Sequence, residues 1–342
     1  MDSAMKKMRI LALMHEDLVP PDSLKDIDPK VAQAYLTEFD VVSALQKMGH
    51  DVLKLGVYSD LGLVRQTIAD FKPHIAFNLL EEFNGNTLYD QHVVSFLEMM
   101  QVPYTGCNPH GLTLCRDKAL CKKILTYHRI PTPKFFVAIK GRKFKPSKKL
   151  QYPLIVKSLV EEASLGISQA SLVNTDEKLI ERIAFIHDTI HTDAIVEEYI
   201  DGRELYLGIM GNARLEPLPL WELWFDNLPE SSAPIATQKI KWDEKYQKKI
   251  GLQTGPVRKL DDAVKKQIVH LCKRAYRALK ISGYARFDLR LNDKNQAYLL
   301  EVNPNPDIGN EQEFSLSARH MGLNYQKLLQ KILSLGKSYK RV

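Results

Sequence analysis

A chain of 342 residues, 44% hydrophobic and 26% charged, has length for two or three cores, and no apolar run approaches the roughly 20 residues that would span a bilayer. The net charge of +7 admits acidic or phosphate-bearing ligands, yet the densest basic run, KGRKFKPSKK at 140–149, holds one aromatic, Phe144. Without interleaved stacking residues it reads as a solvated linker face, not a nucleic-acid site. Cys107, Cys115, Cys121 and Cys272 show neither a Cys-x-x-Cys pair nor histidines at zinc spacing, which predicts reduced, mostly buried thiols in a cytoplasmic protein.

The opening MRILALM reads as a first strand and not as a leader. A helix follows over 31–48, then the strand DVLKLGV, a helix over 63–71, the strand HIAFNLL, a helix over 87–100 and the strand VPYTG. This alternation predicts a parallel sheet wrapped by crossover helices, whose ligand edge lies beyond the carboxyl ends of the strands. NLLEEFNGN, 78–86, would lie there, as a binding edge or equally as an ordinary turn.

RDKALCKKILTYHRI then forms a helix opened by Asp117 and broken by PTP at 131–133. KFFVAI, YPLIVKS and ISQASLV read as strands, DEKLIERIAFIHD as a helix, and AIVEEYI and RELYLGIMG as strands again, so the block at 112–200 is a small α+β unit. Strands continue over 203–224, followed by a polar stretch at 226–256, a long helix over 261–280, the hairpin YARFDLRLNDKNQAYLLEVNPNP and two closing helices. Internal repeats, P-loops, Gly-x-Gly-x-x-Gly, Gly-x-Ser-x-Gly and His-Glu-x-x-His are all missing, which excludes the common nucleotide-loop, dehydrogenase, serine-hydrolase and zincin signatures.

The hairpin is the most informative stretch. With a strand period of two, Arg286, Asp288 and Arg290 share one face, and Leu299, Glu301 and Asn303 share another. A turn centred near Asp293 and Lys294 would set Glu301 opposite Arg286 and diagonal to Asp288. Two carboxylates and an amide oxygen suit Mg2+; the plainer alternative is an Arg286–Glu301 ion pair on a solvated sheet. Lys157, near the end of YPLIVKS, could reach a phosphate while Ala163, Ser164 and Gly166 let backbone N–H groups approach it. Lys118 opposes its helix dipole unless an anion binds there. IVEEYIDGRE looks like a hinge, where extended backbone could meet an adenine edge and Glu204 could accept from ribose hydroxyls, or where charged strand ends are simply exposed.

Taken in order, VPYTGCNPHGLTLCRDKALCKKIL, YPLIVKSLVEEASLGIS, IVEEYIDGRE, YARFDLRL, LLEVNPNP and ARHMGLNYQKLLQKIL resemble the ATP-grasp superfamily, and within it the D-alanine–D-alanine ligases, over nearly the whole chain from residue 72. The resemblance implies an α/β, ATP-grasp fold. An N-terminal parallel-sheet (pre-ATP-grasp) domain, 1–111, would precede two α+β subdomains clamping ATP, a central one at 112–201 and a C-terminal one at 202–342 with the Mg2+ site. Lys118 and Lys157 match phosphate-binding lysines, and Ser164 a serine of the covering loop. Glu197 matches a residue near the adenine amino group, Glu198 and Ile200 positions that use backbone groups, and Glu204 the ribose ligand. In KWDEKY, Lys245 would approach the γ-phosphate and Tyr246 would close the substrate site. Asp288, Glu301 and Asn303 match the ligands of two Mg2+ ions, for which Mn2+ can substitute, and Arg286 an arginine that stabilises the negative intermediate.

The implied reaction is an ADP-forming carboxylate–amine ligation through an acyl phosphate. The resemblance weakens at the substrate walls. MHEDLVPPD stands where the family has Gly-Gly-x-Ser-x-Glu, NLLEEFNGN replaces His-Gly-x-x-Gly-Glu-Asp-Gly, and NPNPDIG replaces Asn-x-x-Pro-Gly-Met. The expected substrate is therefore a small molecule or peptide other than D-alanine, with Glu16, His15, Arg319 and His320 as candidate contacts. A kinase that stops at phosphorylation, a ligase acting on protein tails, and a non-catalytic nucleotide-binding module are the alternatives. No membrane or nucleic-acid partner is expected, and a homodimer is admitted because relatives are commonly dimers.

Overall fold

The computed structural model describes residues 6–25, 27–146, 149–160, 165–229, 232–235 and 237–340. Ser164 and the residues 161–163 before it lie outside the described residues. Thirteen strands form three sheets among the described residues. The first is parallel: β1 (Arg9–His15) lies between β2 (Asp51–Val57) and β3 (Ile75–Asn78). VPYTG, expected as a fourth strand, contributes only an isolated bridge from Tyr104 to Ala76.

The second sheet is antiparallel and runs β4 (Phe135–Ala138), β7 (Ala194–Glu198), β5 (Leu154–Ser158), β6 (Leu172–Val173). ISQASLV supplies only the two residues of β6, because Gln169–Ser171 turn into a 3-10 helix whose Ser171 hydroxyl accepts from Ser168 N at 3.1 Å. Local side-chain bonding of this kind competes with the ladder.

The third sheet follows the order β11 (Leu252–Pro256), β10 (Trp221–Phe225), β8 (Arg203–Gly211), β12 (Tyr284–Leu291), β13 (Ala297–Pro304), with β9 (Leu215–Pro217) on β8. Within the polar stretch at 226–256 the described residues hold two short helices and a strand. Thr237 and Asp243 cap the helices Gln238–Trp242 and Glu244–Ile250, and Gly251, at φ +60°, ends the second before β11.

The first and third sheets share their cores. Leu11 and Leu13 of β1 lie in one cluster with Phe287 and Leu289 of β12, and Ile10 and Phe77 lie in another with Met210 and the C-terminal helix Tyr325–Ser338. The second sheet has its own core, Val156 and Val196 against Leu179 and Ile183. Each such buried side chain contributes about 1.5–3 kcal/mol relative to exposure. The four cysteines are free and buried, Phe144 of the basic run stacks on Phe136 at 5.0 Å, and no helix among the described residues is long and apolar enough to cross a membrane.

One buried acid opposes folding at neutral pH. Glu38, 6% exposed on the helix Leu36–Lys47, has its carboxyl pushed up to about 7 by burial, with Asp307 adding to the effect. The native state therefore keeps a proton that the unfolded chain loses near the ordinary value of 4.5, and stability falls as pH rises from about 4.5 to about 7. Glu38→Gln is expected to raise stability by about 2–3 kcal/mol at pH 8 and to change little at pH 4, as read from urea denaturation at both pH values.

Candidate active site

The ladder of β12 decides which side chains meet. Asp288 lies directly opposite Glu301 on β13 and Tyr206 on β8; Arg286 lies opposite Asn303 and Gly208, and Arg290 opposite Glu204. Directly paired residues share a face, so this is one continuous polar surface across three strands. The register differs from the expected one, which put Glu301 opposite Arg286. The turn spans 292–296, and a bulge between Asp288 and Leu289 leaves Leu300 as an extra residue. The bulge also moves Leu299 off the polar face: it pairs with Leu289 and is buried in the core.

Arg286 consequently pairs with Asp288 and not with Glu301. Its Nε and Nη2 donate to the two Asp288 oxygens at 2.8 and 3.0 Å, and Asn303 Nδ2 donates to Asp288 Oδ2 at 3.1 Å. Burial works against the Arg286 charge, but Asp288 outweighs it and raises the guanidinium pKa. Glu301 is held instead by Lys118, whose Nζ sits 3.3 Å from Oε1. Among the described residues no group of three or more His, Cys, Asp or Glu side chains gathers for a metal. The set here has two carboxylates and one amide, a hard oxygen donor set of the size Mg2+ takes while keeping waters.

A second charged group lies between the sheets. The helix Lys118–Tyr127 carries Lys118 and Lys122 one turn apart, so both project to one side. Lys122, 1% exposed, donates to the carbonyl of the bulged Leu300 at 2.7 Å and to Thr132 Oγ1 at 3.1 Å, and lies 3.3 Å from Glu197 Oε1. Lys157 of β5 donates to Glu197 Oε2 at 3.2 Å. Burial opposes the Glu197 charge, yet the two lysines outweigh it and lower its pKa; for Lys122 burial prevails and its pKa falls. Glu197 Oε1 makes no hydrogen bond of full geometry among the described residues, and the Lys122 ammonium 3.3 Å away is its ionic partner.

β7 and β8 are joined by 199–202, the stretch read as a hinge. Glycine is required at 202, where φ is +132° and a Cβ would run into the Leu291 carbonyl. Ile200 is half-buried, and Glu198 N donates to Lys134 O at 2.9 Å. Glu204, opening β8, accepts from Arg290 Nη2 at 2.7 Å and from the Tyr206 hydroxyl at 2.8 Å. Lys245 is exposed on Glu244–Ile250, and next to it the Tyr246 ring lies 4.3 Å from Lys239 Nζ. Tyr246 lines a cavity of about 510 Å3 together with Ile167, Gln169 and Gln238.

The substrate candidates are dispersed. His15 stands at the carboxyl end of β1, its Nε2 3.4 Å from Glu82 Oε1 and its ring edge-on to Tyr58; Glu16 is exposed on the turn that follows. Arg319 is occupied by the loop it faces, donating to Asn310 O at 2.8 Å, and His320 lies edge-on to Trp221. Lys122 and Arg290 did not emerge from sequence reasoning as site residues. The four-residue spacing from Lys118 was the available signal for the first, and the polar-face period for the second.

Comparison with known proteins supplies a context for this geometry. The family model described as D-ala D-ala ligase C-terminus matches residues 124–334, which leaves Lys118 and Lys122 outside the match. The uncharacterized protein y4sG of Sinorhizobium fredii is 32% identical, covering 86% of this chain and 85% of its own. The D-alanine–D-alanine ligase B of Pseudomonas putida is 30% identical, with the same shares of both chains covered. The D-alanine–D-alanine ligase from Bacillus anthracis, solved in complex with ATP, superposes with a TM-score of 0.74 at 23% identity, over 96% of this chain and 97% of that one. The VanG D-Ala:D-Ser ligase from Enterococcus faecalis does so with a TM-score of 0.67 at 19% identity, over 97% and 100%.

Proposed function

Because the chain belongs to the D-alanine–D-alanine ligase family of ATP-grasp proteins, we propose that it is an ADP-forming carboxylate–amine ligase, dependent on ATP and Mg2+, whose substrates are amino-acid-like molecules or peptides other than D-alanine. The observation that carries this reading is the charged floor of the third sheet, where Asp288, Glu301 and Asn303 face the same side as Arg286 and Glu301 is tied to Lys118. Asp288, Glu301 and Asn303 would hold two Mg2+ ions, or Mn2+ in their place. When bound, the cation would neutralise phosphate charge. Lys118 and Lys157 bind phosphate oxygens, Glu197 lies near the adenine amino group, backbone at Glu198 and Ile200 borders the base, and Glu204 takes the ribose.

In this reading a substrate carboxylate attacks the γ-phosphorus and ADP leaves. An amine then attacks the acyl phosphate, and Arg286 stabilises the oxyanion that forms. The division into 1–111, 112–201 and 202–342 belongs to the same proposal, and the separate core of the second sheet supports the middle unit. ATP consumption fits a cytoplasmic location, and a homodimer is the assembly we propose.

Purified protein with Mg-ATP, screened against pools of amino acids and small carboxylic acids by ADP release and mass spectrometry, tests the reading. A product mass equal to two pool members less water supports it. A phosphorylated pool member, or ATP binding without pool-dependent ADP, overturns it.

Water must be kept from the acyl phosphate, and two loops are laced together where that would be achieved. Gln169 donates to Ala233 O at 3.0 Å and accepts from Ala233 N at 2.9 Å; Gln238 N donates to Ile167 O at 2.9 Å, and its side chain accepts from Gly166 N at 3.2 Å. Gln169→Ala is expected to raise the ratio of ADP to ligated product about three- to tenfold, the effect of losing one to two net hydrogen bonds. An unchanged ratio would show that the lacing does not guard the intermediate.

A further inference from the structure

A carboxylate from outside the hairpin stands beside Arg286. The helix Glu313–His320 crosses the polar face of the third sheet: Phe314 packs on Tyr284 with ring centroids 5.7 Å apart, and Leu316 packs against Tyr206, Trp221 and Leu223. Phe314 comes so close to β8 that a Cβ at Gly208 would lie 2.9 Å from its ring, so only glycine lets the helix settle here. This packing seats Glu313, in the first turn, with Oε2 3.9 Å from Arg286 Nη1. Its side chain is 30% exposed, and among the described residues it makes no hydrogen bond, so a ligand can reach it.

Arg286 is already committed to Asp288 through two hydrogen bonds. Asp288 belongs to the donor set proposed for the cation, so Glu313, which reaches Arg286 from a separate helix, is the carboxylate at this corner left to pair with a positively charged ligand group. At neutral pH the attacking amine arrives as an ammonium ion. We propose that Glu313 binds that ammonium, and so selects acceptors that present a cation beside Arg286. The inference rests on the ligase reading and adds the chemistry of its second substrate. The ammonium is held by charge until deprotonation frees the nitrogen lone pair. The C–N bond then forms, the C–O bond to phosphate breaks, and the electron pair leaves on inorganic phosphate. Of the two protons the nitrogen loses, one ends on phosphate and one is released to solvent.

Hydroxylamine separates this role from others, because it is largely uncharged at neutral pH and attacks acyl phosphates to give hydroxamates. Wild type, Glu313→Gln and Glu313→Asp are compared with the amino-acid pools as donors and acceptors, and then with hydroxylamine as acceptor. The expected result for Glu313→Gln is a KM for ammonium-bearing acceptors raised roughly ten- to hundredfold, the loss of one charged hydrogen bond. Its KM for ATP and its hydroxamate formation stay unchanged, and Glu313→Asp recovers part of the loss. Amide and hydroxamate formation falling together, or neither falling, overturns the inference while leaving the ligase reading intact. Wild type forming neither product with any pool removes the ligase reading itself, and the inference with it.

Discussion

Glu301→Ala is expected to lower Mg-ATP-dependent ADP release about a thousandfold or more, the largest loss of any single substitution in the site. Glu301 is one of two carboxylates on the floor, directly opposite Asp288, and it is the group that Lys118 Nζ contacts at 3.3 Å. In the proposed site its removal would take away one of two anionic donors for a cation, and would at the same time free the Lys118 ammonium that it contacts. Glu301→Gln keeps the shape and one oxygen, so it should retain fold and nucleotide affinity better than alanine while losing most turnover. Steady-state ADP release with nucleotide titration on both variants checks this. Turnover within tenfold of wild type would mean that the polar floor is not where the phosphates react.

Lys122→Ala should be the most destabilising change in the region, by about 3–5 kcal/mol, because it withdraws one partner of a buried charge group. Glu197 and Lys122 are both 1% exposed. Lys157 alone would then balance Glu197, and the Leu300 carbonyl would lose the donor that fills the bulge. Lys122→Arg is not expected to restore stability, since a planar fork cannot occupy a pocket shaped for an ammonium. In urea denaturation, Lys122→Met combined with Glu197→Gln should recover part of the loss, giving a coupling energy of about 1–3 kcal/mol. A loss below about 1 kcal/mol for Lys122→Ala would show that water reaches Glu197 in its place.

How much of this was legible depended on the range of the interaction. The parallel strands of the first sheet, the cap at Asp117 and the hairpin itself are local patterns of period, cap and turn, and they could be read directly. The expected strand ISQASLV had the right composition, but the side chains of Ser171 and Gln169 found other partners, and one of those, Ala233, lies 64 residues away. The site was partly legible for the same reason. Arg286, Asp288, Glu301 and Asn303 could be assigned to polar faces from alternation alone, whereas their pairing depended on a bulge that no composition rule signals.

Period-two and period-3.6 patterning along one chain carried the α/β class of fold and the polar face of the hairpin, and the resemblance of ordered motifs supplied the residues expected to serve a nucleotide. Which charge meets which was set by the packing of distant segments. Arg286 pairs with Asp288 and not Glu301 because the turn over 292–296 and the extra residue at Leu300 each shift the ladder by one residue. Lys122 reached Glu197, and Glu313 reached Arg286, because a helix packs between sheets in one case and across a sheet in the other. Contacts of this kind are set by shape and burial between distant segments, and a linear pattern carries no record of them.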